Sequence, residues 1–137
     1  MSRATTPSSE GGDTREATIL IVDDEATIRE LLKATIKGIS VPHRVLEAAT
    51  SQAALELARA HRPDLVLLDI VLPESDTSGV LICQELCKDT RTKVVIVSGQ
   101  GAEMIIQACL SAGAIDRIRK PFSVPELREK LEAWLRY

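Results

Sequence analysis

From residue 17 onward the chain alternates between two textures. Short apolar runs dense in β-branched residues give way to longer segments whose apolar side chains recur every three or four positions. The first run is Thr18-Ile19-Leu20-Ile21-Val22; Ile28, Leu31, Leu32, Thr35 and Ile36 follow at helical spacing. A more polar strand is predicted over His43 to Ala48, then a helix capped by Thr50 that faces inward through Ala54, Leu57 and Ala58. Asp64 to Ile70 reads as a third strand, stopped by Pro73 and Gly79, with a helix from Val80 to about Lys88. Lys93 to Val97 reads as a fourth, closed by Ser98-Gly99. The helix after it runs through Ile105, Ala108, Cys109 and Ala112, which leaves Met104, Ile106 and Leu110 off the main stripe. A short fifth strand is predicted from about Ile115 to Arg119. In Ser123-Val124-Pro125-Glu126 a hydroxyl is followed three residues later by Glu, with Pro in the first turn: a capping box. The last helix then runs to about Arg136, with Leu127, Leu131 and Leu135 four apart.

Strands alternating with helices predict an α/β fold on a parallel sheet, and near-continuous apolar strands predict central strands covered on both faces. The polar character of 43–48 suits an edge. Residues 1–16 carry almost no aliphatic side chains and predict a disordered tail, leaving 17–137 as the folded domain. Apolar runs stop at four residues (Ile19–Val22, Leu65–Leu68, Val94–Val97), too short for a membrane helix. A net charge of −3 gives no global positive field for nucleic acid, and Phe122, Trp134 and Tyr137 are the only aromatics for stacking. No signal sequence is visible and the three cysteines are too few for a disulfide scaffold, so a cytoplasmic location is expected. Cys83, Cys87 and Cys109 read as small core hydrophobes, and His43 and His61 as solvent-facing.

Ligands of open parallel sheets bind at the carboxyl ends of the strands. Here those ends carry Asp23-Asp24, Asp69, Ser98 and Lys120-Pro121. Three clustered carboxylates repel one another, and a divalent cation relieves them; hard oxygen donors without Cys or His suit Mg²⁺, or Mn²⁺. Lys120 adds a charge for an anion and Ser98 a hydroxyl. Cation, lysine and hydroxyl around one carboxylate describe phosphoryl transfer onto that carboxylate. Each residue alone has a plain alternative: an Asp or Ser at a strand end is a common helix cap, and Lys-Pro is a common loop dipeptide.

The motifs Ile-Val-Asp23-Asp24-Glu25, Leu-Leu-Asp69-Ile-Val-Leu-Pro73, Val-Ser98-Gly99 and Arg-Lys120-Pro121-Phe122, with their spacing, resemble the receiver domain of bacterial two-component response regulators from Ala17 to the C-terminus. The resemblance implies a flavodoxin-like sheet of order 2-1-3-4-5. It implies that Asp69 is the phosphoacceptor, served by a sensor histidine kinase or a histidine phosphotransfer protein. Asp23, Asp24, Asp69 and the backbone carbonyl of Val71 are the implied metal ligands. Ser98 and Lys120 are the implied phosphoryl-binding groups, and the Lys120–Pro121 peptide is expected to be cis. The domain is then a switch rather than an enzyme, acting on a downstream protein or on an effector domain of its own, with a homodimer possible and no direct contact with nucleic acid or membrane. Relatives dimerise or dock targets on the helix that carries Met104, Ile106 and Leu110; core filling is the plain alternative.

Two departures stand out. Relatives place an aromatic residue or His three positions before the lysine, and here that residue is Arg117. It reads either as a solvated edge-strand arginine or, with Arg119, as a site for an acidic partner. The segment between Pro73 and Gly79 holds five residues, Glu74-Ser75-Asp76-Thr77-Ser78, where relatives usually have three. Its extra carboxylates read as solvated loop charges, or as groups that alter kinase docking. Two other functions are weighed. A phosphatase with an Asp nucleophile needs a second Asp two residues on, where Val71 stands. A receiver-like module that signals without phosphate remains as the alternative.

Overall fold

The computed structural model describes residues 16–70, 79–99 and 103–136. Residues 1–15 of the predicted 1–16 tail, Val71 and the 74–78 loop lie outside these residues. Five strands, β1 (Ala17–Val22), β2 (His43–Ala48), β3 (Leu65–Leu68), β4 (Lys93–Ser98) and β5 (Asp116–Arg119), alternate with five helices. These are α1 (Ala26–Lys37), α2 (Ser51–His61), α3 (Gly79–Cys87), α4 (Glu103–Ala112) and α5 (Val124–Arg136). All strand pairs are parallel, in the order β2-β1-β3-β4-β5, as expected.

Alternation along each strand builds two cores. Ile19 and Ile21 of β1, Leu65 and Leu67 of β3, and Val95 and Val97 of β4 pack under α1 and α5 with Leu32, Ile36, Leu127 and Leu131. Leu20, Val22, Val66, Leu68, Val94 and Ile96 point the other way, toward Ala54 of α2, Ile82 and Cys83 of α3, and Ile106 and Cys109 of α4. Each fully buried aliphatic side chain contributes about 1.5–3 kcal/mol. The central strands β1 and β3 are buried along their whole length, while β2 is half-buried or exposed up to its last residue, Ala48, which fits its edge position.

Local signals act as read. The Thr50 side chain accepts from Ala53 N at 3.1 Å, and Ser123 Oγ accepts from Glu126 N at 3.3 Å. Gly79 opens α3 where a Cβ would sit 2.5 Å from the Ile70 carbonyl oxygen, so glycine lets the helix start pressed against the end of β3.

Three expectations are corrected. On α4 it is Ile106 that is buried with Cys109, and Leu110 packs beside them, whereas Ile105 is 39% and Met104 87% exposed. The helix is apolar nearly all round, so its spacing alone leaves the inner face undefined by one residue; packing against α3 selects it. Leu31, expected inward, is exposed because Leu32, Thr35 and Ile36 already fill the α1 face. His43 is half-buried and its Nδ1 lies 2.8 Å from the Val41 carbonyl oxygen.

Candidate phosphoryl and metal site

The sheet delivers the site residues by continuing its ladder one step past the strand ends. Asp23 N donates to Ala48 O (3.1 Å), Asp69 N to Val22 O (2.9 Å) and Lys120 N to Ser98 O (2.8 Å). Each backbone is therefore fixed by its neighbour strand, and the side chains converge on one rim. One carboxylate oxygen from each of Asp23, Asp24 and Asp69 lies within 4.8 Å of the others. Asp23 and Asp69 are buried and Asp24 is exposed, so the cluster opens to solvent on one side.

Lys120 holds the negative charge together. Its Nζ lies 2.9 Å from Asp23 Oδ2, 3.4 Å from Asp69 Oδ2 and 4.0 Å from Glu25 Oε1. Burial by itself would lower the ammonium's pKa; the hydrogen bond to Asp23 and the charges of Asp69 and Asp23 outweigh it and hold Lys120 above the ordinary lysine range. Asp23 is braced further: its Oδ1 accepts from Glu25 N at 2.9 Å, and its carbonyl accepts from Arg29 Nη1 at 2.7 Å. The Lys120–Pro121 peptide is cis, as expected.

Ser98 is 1% exposed, yet its Oγ finds no hydrogen-bond partner among the described residues. A buried hydroxyl normally has a partner, so this one is available for a group that enters the site. Three carboxylates with hard oxygen donors fit a Mg²⁺-type cation, which keeps several waters and takes few protein ligands.

The sequence matches the family model described as the response regulator receiver domain over residues 19–132. This chain belongs to the response regulator receiver domain family. It is 37% identical over 118 residues to the KDP operon transcriptional regulatory protein KdpE of Escherichia coli, covering 86% of this chain and 51% of the relative. It is 36% identical over 124 residues to the DNA-binding response regulator MtrA of Mycobacterium tuberculosis, covering 90% of this chain and 53% of the relative. The chain thus spans about half the length of the curated relatives it matches. Among solved structures, the receiver domain of NtrX from Brucella abortus superposes with a TM-score of 0.77 at 33% identity, covering 86% of this chain and 98% of that one.

Within the receiver frame, Arg117 departs from both readings of the sequence. It is half-buried, and its Nη1 lies 2.6 Å from Glu103 Oε1 at the start of α4, so the acidic group it meets belongs to its own chain. Sequence reasoning missed Glu103, and it gave no role to Glu25 or Arg29. Glu25 and Arg29 had a usable signal, since they stand at the start of the helix that directly follows Asp23-Asp24. Among the described residues the three cysteines are free, two of them buried; contact with the Cys109 thiol, then burial, pushes the Cys83 thiol up, as suits core residues. No helix among the described residues is long and apolar enough to cross a membrane.

Proposed function

We propose that this receiver domain, over 17–137, is a phosphoacceptor switch of a two-component phosphorelay, with Asp69 as the acceptor. The observation that carries the reading is the buried Asp69 carboxylate beside the Lys120 ammonium, within 4.8 Å of two further carboxylates, with a buried Ser98 hydroxyl at the end of β4 that has no partner among the described residues. An Asp69 carboxylate oxygen attacks the phosphorus of a phosphohistidine on a sensor kinase or phosphotransfer protein. The new O–P bond forms as the P–N bond breaks, and the imidazole leaves with its electron pair and takes up a proton. Lys120 and Ser98 hold the incoming phosphoryl oxygens. Asp23, Asp24 and Asp69 would hold Mg²⁺ (or Mn²⁺), together with the carbonyl of Val71 that the family resemblance implies, and the ion would supply charge neutralisation at the phosphoryl group. Positioning and charge carry the catalysis, so the domain assists its own modification without being an enzyme in its own right.

The added phosphoryl group brings roughly −1.5 to −2 charge and three acceptor oxygens. Ser98 gains a partner only in that state, and its movement biases the start of α4, changing the surface offered to a downstream protein or an attached effector domain. We place the domain in the cytoplasm, where such kinases present their phosphohistidine.

The test is intact mass after incubation with acetyl phosphate, with Mg²⁺ or with EDTA, for wild type and Asp69→Asn. One added phosphoryl group in the wild type with Mg²⁺ alone supports the assignment. Equal labelling of the variant moves the acceptor elsewhere, and no labelling of either favours a module that signals without phosphate.

A further inference from the structure

The Arg117–Glu103 contact closes a mechanical ring. Ser98 ends β4, and five residues later Glu103 begins α4. Glu103 pairs with Arg117 at 2.6 Å and lies 3.9 Å from Arg119 Nη2. Arg117 stands opposite Ile96 and Arg119 opposite Ser98 in the β4–β5 ladder, so the path returns to its origin. Both Glu103 oxygens are engaged, since Gln107 Nε2 donates to Oε2 at 3.1 Å. The Arg117 bond first, and then Gln107, holds the Glu103 carboxyl below the usual carboxylate range. An anion in the first turn also suits the helix dipole.

In this arrangement the Asp69 carboxylate accepts from Lys120 Nζ at 3.4 Å, and Ser98 Oγ has no partner among the described residues. A shift of Ser98 toward an occupied Asp69 that moves the start of α4 works against the Glu103 contact, because Arg117 is anchored in β5. A guanidinium also cannot take the apolar slot an aromatic side chain would fill, because that would bury a charge.

We propose that the Arg117–Glu103 ion pair is a latch that favours the form with Ser98 disengaged, setting how readily this receiver enters its phosphorylated conformation. The inference rests on the assignment of Asp69 as acceptor. An equilibrium shifts only by the free-energy difference between its two forms, and a partly exposed ion pair of this kind moves it by about two- to fivefold.

The experiment measures the affinity of the full chain for fluoroberyllate with Mg²⁺ by calorimetry, fluoroberyllate standing in for the phosphoryl group. Arg117→Gln and Glu103→Gln are each expected to bind about two- to fivefold more tightly than wild type. The double variant should bind no more tightly than either single one. Arg117→Lys, and the exchange of charges in R117E/E103R, should return affinity toward wild type. Raising salt from about 0.05 to about 0.5 M should narrow the gap between wild type and Arg117→Gln. The latch is overturned if neither single variant changes affinity, if only Arg117→Gln does, or if the two effects add in the double variant. A wild type that binds no fluoroberyllate, like the Asp69→Asn control, overturns the acceptor assignment and the latch with it.

Discussion

The two ends of one sheet obey opposite electrostatic rules. At the amino ends of the strands, polar groups satisfy one another. Asp64 Oδ2 accepts from Thr18 N at 2.8 Å, Thr92 Oγ1 donates to Pro63 O at 2.7 Å, and Lys93 Nζ donates to the Trp134 carbonyl. Glu132 accepts from both the amide and the hydroxyl of Ser40 at 2.7 Å and pairs with Arg136 at 2.8 Å. At the carboxyl ends, three carboxylates (Asp23, Glu25 and Asp69) crowd one ammonium, Asp24 lies beside two of them, and a buried hydroxyl stays without a partner among the described residues. A cleft of about 1120 Å³, lined by Arg91, Lys93 and Trp134 among others, opens at the amino end, away from the crowded carboxylates. Function is marked here by unmet electrostatic demand, and stability by demand that is met.

That contrast can be broken by mutation. The largest effect is expected from Lys120→Ala, which removes the cation proposed to face the incoming phosphoryl group. Phosphorylation by acetyl phosphate should slow by roughly 10²–10³-fold, the scale of losing one oriented donor to developing charge, as followed by intact mass over time. A change under threefold would show that Lys120 serves only to neutralise carboxylates.

At the opposite rim, Asp64→Ala leaves the Thr18 amide without this acceptor next to the strand ladder. Unfolding in urea should show a loss of about 1–3 kcal/mol, with the phosphorylation rate of the folded protein unchanged. A rate that fell in step with stability would mean the two rims are not separable.

Mg²⁺ sharpens the comparison from the ligand side. At ten times its dissociation constant it should stabilise wild type by about 1.4 kcal/mol in thermal or urea unfolding. Asp24→Asn should stabilise the metal-free protein or leave it unchanged, because repulsion is relieved, and should lose most of the Mg²⁺ effect. Equal stabilisation of both proteins would place the cation elsewhere.

The smallest effect concerns pH. The Ser40 hydroxyl first, then the Ser40 amide and Arg136, holds the Glu132 carboxyl below its ordinary value of 4.5. Its folded pKa is depressed, so its contribution to stability is complete above about pH 4.5 and is lost as pH falls through the folded value. The stability gap between wild type and Glu132→Gln should therefore close on acidification, with urea midpoints between about pH 3 and 7 as the measure. A gap that widened would give the opposite sign of linkage.

Much of this was legible before any coordinates. Strand periodicity and the residue after each strand located Asp23, Asp69, Ser98 and Lys120, because a parallel sheet places successive carboxyl ends side by side. The inner face of α4 was misread because Met104, Ile105, Ile106 and Leu110 are all apolar, and only the packing of α3 chooses among them. The partner of Arg117 was hidden for another reason. Fourteen residues separate it from Glu103, and no local rule links a strand residue to the helix before it. Register alone brings them together.

The amides of Asp23 and Asp69 are bonded into the same ladder as the core strands. Their hydrogens should exchange with solvent only when the whole domain opens, as slowly as those of Leu20 or Leu67. The proposed acceptor is thus a fixed stop and not a moving part. Any signal it generates has to be carried by a group that can turn against it, the Ser98 side chain first among them. Variation that retunes the response can then collect on that side, without disturbing the chemistry that starts it.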